Sequence, residues 1–189
     1  MTNTPTKIIV IGTSAGGLQV LFEILSSLRA DYPIPIVVVQ HRSKVPKDLL
    51  EEVMQSRCGL RVKQADEKEA IEPGSIYVAP PDYHLLVDEN RTFALTSDEP
   101  VEFARPSINV LFETAAETYG RSVLGILLTG ANKDGANGLA TIRKRGGLTI
   151  AQDPAEAAYP AMPESAIAIG AASMVMRAAE INKYLSKLS

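Results

Sequence analysis

The 189-residue sequence has no tryptophan, one cysteine and two histidines. A single cysteine, Cys58, excludes an intramolecular disulfide and any metal site built from several thiolates. A basic excess is missing too: 19 lysines and arginines stand against 22 acidic residues, so the electrostatic footprint of a nucleic-acid-binding protein is absent. No apolar run reaches membrane-spanning length, and the first residues carry no charged-then-apolar leader. We therefore expect one domain over residues 1–189, cytoplasmic, with no nucleic acid bound and no membrane insertion.

Hydrophobic residues make up 46% of the chain, enough for a substantial core. Apolar runs such as Lys7–Ile11 and Val123–Leu128 alternate with stretches of helical periodicity such as Leu18–Leu28. Strands that are apolar along their whole length, with helices between them, predict an α/β fold with a doubly wound, mainly parallel sheet and helices on both faces. Short segments separated by turn residues predict an antiparallel hairpin region at Ser75–Ala79, Leu85–Val87 and Thr92–Leu95.

Three chemically capable side chains follow the ends of three predicted strands. Ser14 comes after the first strand, His41 after the second, and Asp134 after the Val123–Leu128 strand. In open α/β sheets the ligand crevice lies at the carboxyl ends of the strands. A serine nucleophile needs an imidazole to accept its proton and a carboxylate to orient that imidazole. The three positions therefore predict a Ser-His-Asp site.

The segment Gly12–Gly16 fits the pattern G-x-S-x-G, a sharp strand-to-helix turn that exposes a serine hydroxyl. The N–H of Ala15, at the start of the following helix, is a candidate donor to an oxyanion. Simpler interpretations stay open, because Ser14 and Asp134 are also suitable helix caps. The glycine-rich turn could equally bind a phosphate group.

The other reactive side chains are weaker candidates. His84 lies in the predicted hairpin region, where a structural or rim position is favoured, so His41 is the preferred general base. Cys58 ends a predicted helix at Lys47–Cys58 without a nearby histidine or glycine-rich turn. We expect it to be a small buried apolar residue rather than a nucleophile.

Six segments, in order along nearly the whole chain, resemble the catalytic domain of bacterial chemotaxis protein-glutamate methylesterases of the CheB type. They are IVIGTSAGG (Ile9–Gly17), VVQH (Val38–His41), YVAPPDYH (Tyr77–His84), RPSINVLF (Arg105–Phe112), LLTGANKDG (Leu127–Gly135) and AQDPAEAAYPAMPESA (Ala151–Ala166). The resemblance implies a serine esterase that hydrolyses γ-glutamyl methyl esters on chemoreceptor helices through an acyl-enzyme, and it extends to deamidation of certain glutamines. We expect no cofactor and no metal.

Carried over position by position, the resemblance places the nucleophile at Ser14, the general base at His41 and the orienting carboxylate at Asp134. These are the residues already reached from the strand ends. We expect the oxyanion to be bound by the backbone N–H groups of Ala15 and Ala131.

The resemblance also suggests two residues that bind the substrate, Arg105 and Met162, each with a simpler alternative. Arg105 could form only a surface ion pair with Glu102, and Met162 could belong to the core. Such enzymes commonly carry an N-terminal receiver domain, whereas the first predicted strand here begins at Lys7. We therefore expect a stand-alone esterase, either unregulated in cis or controlled by a separate response-regulator domain.

The chain departs from the family pattern at several positions. Ala131 and Asn132 replace a methionine and a glycine, Asn109 stands where aspartate is common, and Ala161 where glycine is usual. We expect the 129–135 loop to keep its path, since asparagine tolerates positive φ. Three alternatives stay open: an esterase acting on another methylated protein, since the triad does not encode the receptor; a non-catalytic interaction module in a signalling complex, which the altered loop would favour; and a phosphate- or nucleotide-binding protein.

Overall fold

The computed structural model of the protein describes residues 4–42 and 49–188. Its centre is a seven-stranded parallel sheet of order β3-β4-β2-β1-β7-β8-β9, beside a separate antiparallel pair, β5 and β6. The strands are β1 (Ile8–Thr13), β2 (Ile36–Gln40), β3 (Arg61–Gln64), β4 (Ser75–Val78), β5 (His84–Val87), β6 (Phe93–Thr96), β7 (Val123–Leu127), β8 (Leu148–Gln152) and β9 (Met174–Met176). The helices are α1 (Gly17–Leu25), α2 (Leu50–Gln55), α3 (Ile108–Tyr119), α4 (Ala136–Lys144), α5 (Ala161–Ala168) and α6 (Ala178–Leu185).

Both faces of the large sheet are covered, because its central strands are apolar along their whole length. In β1, Ile9 and Ile11 pack on one side with α1, α2 and α6. Ile8 and Val10 pack on the other side with α3, α4, α5 and the β5–β6 pair. The predicted doubly wound fold is confirmed, with helices on both faces.

Strand β1 lies in the middle of the sheet, where the chain changes direction. From β1 the order runs through β2 and β4 to one edge, and the later strands β7, β8 and β9 complete the other side. A ligand crevice forms at such a switch point, outside the carboxyl ends of the strands. Ser14 follows β1 directly, so it lies at this crevice.

The predicted hairpin region needs one correction. Ser75–Val78 is strand β4 of the parallel sheet, paired with β2 and β3, and only β5 and β6 form the antiparallel pair. Its short length and the turn residues after it made β4 look like part of a hairpin. The neighbouring strand β3 was missed, because Arg61 and Gln64 are exposed at the edge and the segment has no apolar run. Helix α5 was missed as well, as its residues lack a clear apolar stripe.

The predicted helix at Lys47–Cys58 begins outside the described residues, and its described part is α2. Across residues 4–42 and 49–188, no helix combines the length and the apolar character needed to cross a membrane.

Candidate active site

The turn after β1 presents Ser14 at the carboxyl edge of the sheet. The N–H of Ser14 donates to the carbonyl of Thr129 at 3.0 Å, and its own carbonyl accepts from the N–H of Gly17. Gly16 has a φ of 76°, a left-handed conformation that glycine adopts without a steric penalty. The side chain of Ser14 caps no helix, since α1 has no side-chain cap hydrogen bond. In the described part of the chain, the hydroxyl of Ser14 makes no hydrogen bond.

His41 leaves the sheet next to Ser14. Thr13 and Gln40 are paired in the register of β1 and β2, so the residues that follow them emerge side by side. The N–H of His41 donates to the carbonyl of Thr13 at 3.0 Å and extends the ladder by one bond. The side-chain amide of Gln40 holds together the segments that follow β1 and β2, because its Nε2 donates to the carbonyls of Ser14 and His41 at 2.9 and 3.1 Å.

Asp134 is fully buried and accepts four hydrogen bonds. Its Oδ2 lies 2.8 Å from Nε2 of His41 and 2.6 Å from the N–H of Ile108. Its Oδ1 accepts from the hydroxyl of Ser107 at 2.8 Å and from the N–H of Asn109 at 3.0 Å. A carboxylate can accept all four bonds, and the N-terminus of α3 adds a favourable dipole. This carboxylate therefore caps a helix and holds an imidazole at the same time.

The cap interpretation of Asp134 is thus half correct. The helix that Asp134 caps is α3, whose first residue, Ile108, lies 26 residues earlier in the chain, rather than α4, which follows Asp134. The close approach of α3 depends on Gly12, because a Cβ there would lie 2.2 Å from Cγ2 of Ile108. A glycine near the end of β1 therefore allows the helix that holds the carboxylate to pack against the strand that carries Ser14.

The link between the first two residues of the site is looser. Within residues 4–42 and 49–188 no hydrogen bond joins Oγ of Ser14 to His41. Since Nε2 of His41 faces Asp134, Nδ1 is the imidazole nitrogen left for the serine. The His41 side chain is 12% exposed, so this half of the pair borders the open groove. Catalytic hydrogen bonds are often absent or long without substrate and shorten in the complex.

Two backbone N–H groups near Ser14 are available to a ligand. The N–H of Gly130 is not one of them, because it donates to the carbonyl of Tyr159 at 2.9 Å. The N–H groups of Ala15 and Ala131, the donors that the sequence predicted, have no acceptor among the described residues. They belong to the turns after β1 and β7, neighbouring strands whose carboxyl ends meet at this edge.

Met162 is fully buried directly behind this site. A Cβ at Gly130 would lie 2.4 Å from Cε of Met162 and 3.0 Å from Cβ of Ser14, so glycine alone fits between the two side chains. The N–H of Met162 donates to the carbonyl of Gly130 at 3.0 Å. Met162 thus has the core position that the sequence left open, with a place beside the serine as well.

Arg105 lines the groove in front of His41, together with Arg42 and Asn132. Its guanidinium pairs with Asp82 at 2.8 Å and donates to the carbonyls of Ser97 and Asp98. The alternative of an ion pair with Glu102 is not realised among the described residues, because Arg105 pairs with Asp82 and Glu102 lies 3.6 Å from Lys133. Arg105 therefore holds its own loop, 97–105, at the groove.

The positions that depart from the family pattern have structural tasks here. Oδ1 of Asn132 accepts from the N–H of Asp134 at 3.1 Å, and Asn132 keeps a negative φ, so its tolerance of positive φ is not used. Oδ1 of Asn109 accepts from the N–H groups of Gly135 and Gly138 at 3.0 and 2.8 Å, which caps α4. Asn109 therefore joins the starts of α3 and α4 and does not face the groove.

His84 and Cys58 have the structural positions that the sequence favoured. His84 is 1% exposed; its Nδ1 accepts from the N–H of Ser107 at 3.1 Å, and its Nε2 lies 3.1 Å from the carbonyl of Glu99. Cys58 is buried and free, and burial raises the pKa of its thiol. A buried thiol with a raised pKa is a poor nucleophile at neutral pH.

Sequence reasoning gave no role to Ser107, Gln40 or Thr129, all of which support the site. The hydroxyl of Ser107 donates to Asp134, and the hydroxyl of Thr129 donates to the carbonyl of Ala15 at 3.0 Å. The one usable signal was Pro106-Ser107 before an apolar periodic stretch, which is typical of a helix start. That signal locates α3, but it does not reveal the distant carboxylate that α3 binds.

The fold and these contacts define an α/β protein with a serine, a histidine and a buried aspartate at the carboxyl edge of its sheet. A family model described as CheB methylesterase matches residues 9–185 of the chain. The solved structure of the Thermotoga maritima CheB methylesterase catalytic domain matches with a TM-score of 0.91 and 35% identity, over 98% of this chain and 100% of that one.

Two relatives carry names that agree with this family and this structure. A Nitrosospira multiformis protein named protein-glutamate methylesterase/protein-glutamine glutaminase is 37% identical over 184 residues, covering 97% of this chain and 52% of its own length. A Leptospira interrogans protein with the same two activities in a provisional name is 44% identical over 180 residues, or 95% of this chain and 93% of its own. The chain therefore belongs to the CheB methylesterase family. The family, the fold and the enzyme class predicted from the sequence are confirmed.

Proposed function

We propose that this protein is a serine esterase that hydrolyses γ-glutamyl methyl esters on methylated chemoreceptors in the cytoplasm, with Ser14, His41 and Asp134 as its triad. Family membership supports the reaction, since relatives are named for methylesterase and glutaminase activities. The observation that carries the assignment is the 2.8 Å contact between Nε2 of His41 and the four-bonded carboxylate of Asp134, beside an uncommitted serine hydroxyl. Glutamine deamidation would use the same groups, because both substrates are acyl derivatives of glutamate.

In this mechanism Oγ of Ser14 attacks the ester carbonyl while Nδ1 of His41 accepts its proton. Asp134 stabilises the resulting imidazolium and keeps the ring oriented. The N–H groups of Ala15 and Ala131 bind the oxyanion, and His41 then protonates the departing methanol. Water hydrolyses the acyl-enzyme by the same steps, which returns a free glutamate and the enzyme. A rotation of the Ser14 or His41 side chain brings the hydroxyl to Nδ1 when substrate binds.

The donors around the oxyanion are set before substrate arrives. Ala15 and Ala131 belong to two separate loops that are joined by hydrogen bonds, since the N–H of Ser14 and the hydroxyl of Thr129 both cross between them. Preorganised donors of this kind lower an acyl-transfer barrier, and losing one costs about 100-fold or more in rate. Arg105 and Met162 support the site from the groove loop and from the core.

The test is methanol release from a methylated chemoreceptor by the wild type and by Ser14→Ala. The variant loses the nucleophile, so turnover should fall by at least about 1,000-fold. Its fold should be unchanged, because Oγ of Ser14 has no hydrogen bond among the described residues. A folded Ser14→Ala protein with wild-type turnover would show that another group carries the reaction, and a wild type that releases no methanol would contradict the proposed function.

A further inference from the structure

One residue at the mouth of the groove is not explained by the triad or by the fold. Phe103 is 100% exposed, although it is among the largest apolar residues of the chain. It lines the groove together with His41, Arg42 and Arg105. A fully exposed phenyl ring contributes no burial to the stability of the isolated protein.

The backbone under Phe103 is strained as well as exposed. Val101 and Ala104 exchange two backbone hydrogen bonds, of 3.1 and 2.9 Å, around a two-residue turn. Glu102 and Phe103 occupy its two central positions with φ values of 50° and 63°. Turns with two positive φ values favour asparagine and glycine, and a bulky side chain there is a rare choice. The chain therefore bears a conformational cost to hold a phenyl ring in solvent.

Ion pairs and hydrogen bonds of the neighbouring residues Glu102 and Arg105 hold the turn that carries Phe103 in place. Arg105 fixes the base of the loop through Asp82 and two carbonyls, and Glu102 lies 3.6 Å from Lys133 of the 129–135 loop. The turn that carries Phe103 is thus tied to the 129–135 loop through Glu102, and residues of both loops line the groove with His41. Strained residues that persist at a ligand site point to a function for the strain.

The charges in the groove indicate what binds there. Among the described residues that line it, Arg42 and Arg105 carry a full positive charge and none is acidic. Glu51 pairs with Arg42 and Asp82 with Arg105, and neither carboxylate is among these described lining residues. Electrostatic complementarity favours an acidic ligand, and an exposed aromatic ring favours one with an apolar surface to cover it.

We infer that Phe103 is a docking anchor for the protein substrate, an acidic amphipathic helix whose apolar side covers the phenyl ring while its glutamates face Arg42 and Arg105. This inference rests on the proposed function, since it specifies the partner of the same site. It assigns Phe103 a role in binding a macromolecule and none in the chemical step, because the ring reaches the substrate outside the scissile ester.

The test compares two substrates of Phe103→Ala. One is a synthetic helical peptide with a single γ-glutamyl methyl ester flanked by glutamates, and the other is p-nitrophenyl acetate, too small to reach the turn. We expect KM for the peptide to rise by about 10-fold, with kcat and the hydrolysis of the small ester within about two-fold of wild type. Leu148→Ala is the matched control. Leu148 is exposed at the amino end of β8, and the groove lies at the carboxyl ends of the strands, so this variant should change neither KM for the peptide nor the hydrolysis of the small ester.

Several outcomes would overturn the inference. An unchanged KM for the peptide would show that the ring does not touch the substrate, and an equal loss on both substrates would place its effect on the catalytic groups. Equal KM values for glutamate-flanked and lysine-flanked peptides would remove the argument from charge.

A binding measurement separates this inference from the proposed function. In Ser14→Ala, affinity for the fluorescently labelled ester peptide should fall by about 10-fold when Phe103→Ala is added, even if the wild type hydrolyses nothing. Equal affinities, or no binding by either protein, would contradict the docking role.

Discussion

The two histidines of this chain show how one side chain type is used for two purposes around one carboxylate. His41 contacts Asp134 directly through Nε2, is 12% exposed, and keeps Nδ1 without a partner among the described residues. His84 reaches Asp134 through Ser107, is 1% exposed, and uses both ring nitrogens in hydrogen bonds. An imidazole with a spare nitrogen at a groove is available as a base, whereas one with both nitrogens bonded and no solvent contact stabilises the fold.

The difference predicts opposite effects for the two histidines, and the largest is on turnover. His41→Ala removes the proposed base, so kcat on a small chromogenic ester should fall by about 10,000-fold or more. The free energy of unfolding should fall by only about 1 kcal/mol, since one hydrogen bond is lost and the His41 side chain is partly exposed.

A matched variant separates the base from the hydrogen bond. His41→Gln can still donate to Asp134 but cannot accept a proton at neutral pH, so its stability should return towards wild type while its activity stays low. Substantial turnover in this variant would mean that His41 only orients other groups.

The second effect is on stability. His84→Ala leaves the N–H of Ser107 buried without an acceptor and opens a cavity beneath the 97–105 loop. The free energy of unfolding should fall by about 2–4 kcal/mol, measured by urea denaturation. Turnover by the folded fraction should fall by less than about 10-fold, because Asp134 keeps its four donors. His84→Asn can present an oxygen near the position of Nδ1, and a failure of this variant to recover any stability would argue against the assigned hydrogen bond.

How far the sequence predicts these roles depends on distance along the chain. Ser14, His41 and Asp134 were found because each follows an apolar strand, and parallel strands end at one edge of the sheet. The position of α3 under Asp134 was not found, because it depends on the packing of Ile108 against Gly12. Nothing local to Ser107 indicates an aspartate 27 residues away.

The fold shows the same limit. Strands β1, β2 and β7 were predicted from continuous apolar runs, which only burial on both faces requires. Strand β4 was assigned to the wrong sheet because a short apolar segment fits either a hairpin or a parallel sheet, and only its pairing with β2 and β3 decides between them. Phe103 was overlooked for a different reason: exposure and positive φ are properties of the folded loop, and no pattern in Val101–Ala104 marks them.

Ser107 connects the two histidines, so its hydroxyl tests whether they are coupled. Ser107→Ala removes one of the four donors to Asp134 and leaves the backbone bond to His84 in place. We expect kcat to fall by about 10-fold and the free energy of unfolding by about 1 kcal/mol, because a buried carboxylate oxygen loses a partner. Ser122→Ala, at a buried serine at the amino end of β7, should leave kcat unchanged. Wild-type kcat in Ser107→Ala would show that the orientation of His41 does not depend on this donor.

The smallest effect contrasts the buried histidine network with the exposed turn above it. Phe103→Asn replaces a residue that disfavours positive φ with one that tolerates it, so the free energy of unfolding should rise by about 0.5–1 kcal/mol. In a chain of this size that corresponds to an increase in Tm of about 1–4 °C by calorimetry. Phe103→Ala should show no such gain, because alanine bears the same penalty at a φ of 63°. A decrease in Tm for Phe103→Asn would mean that the phenyl ring stabilises the isolated chain, and the strain would then need no function to explain it.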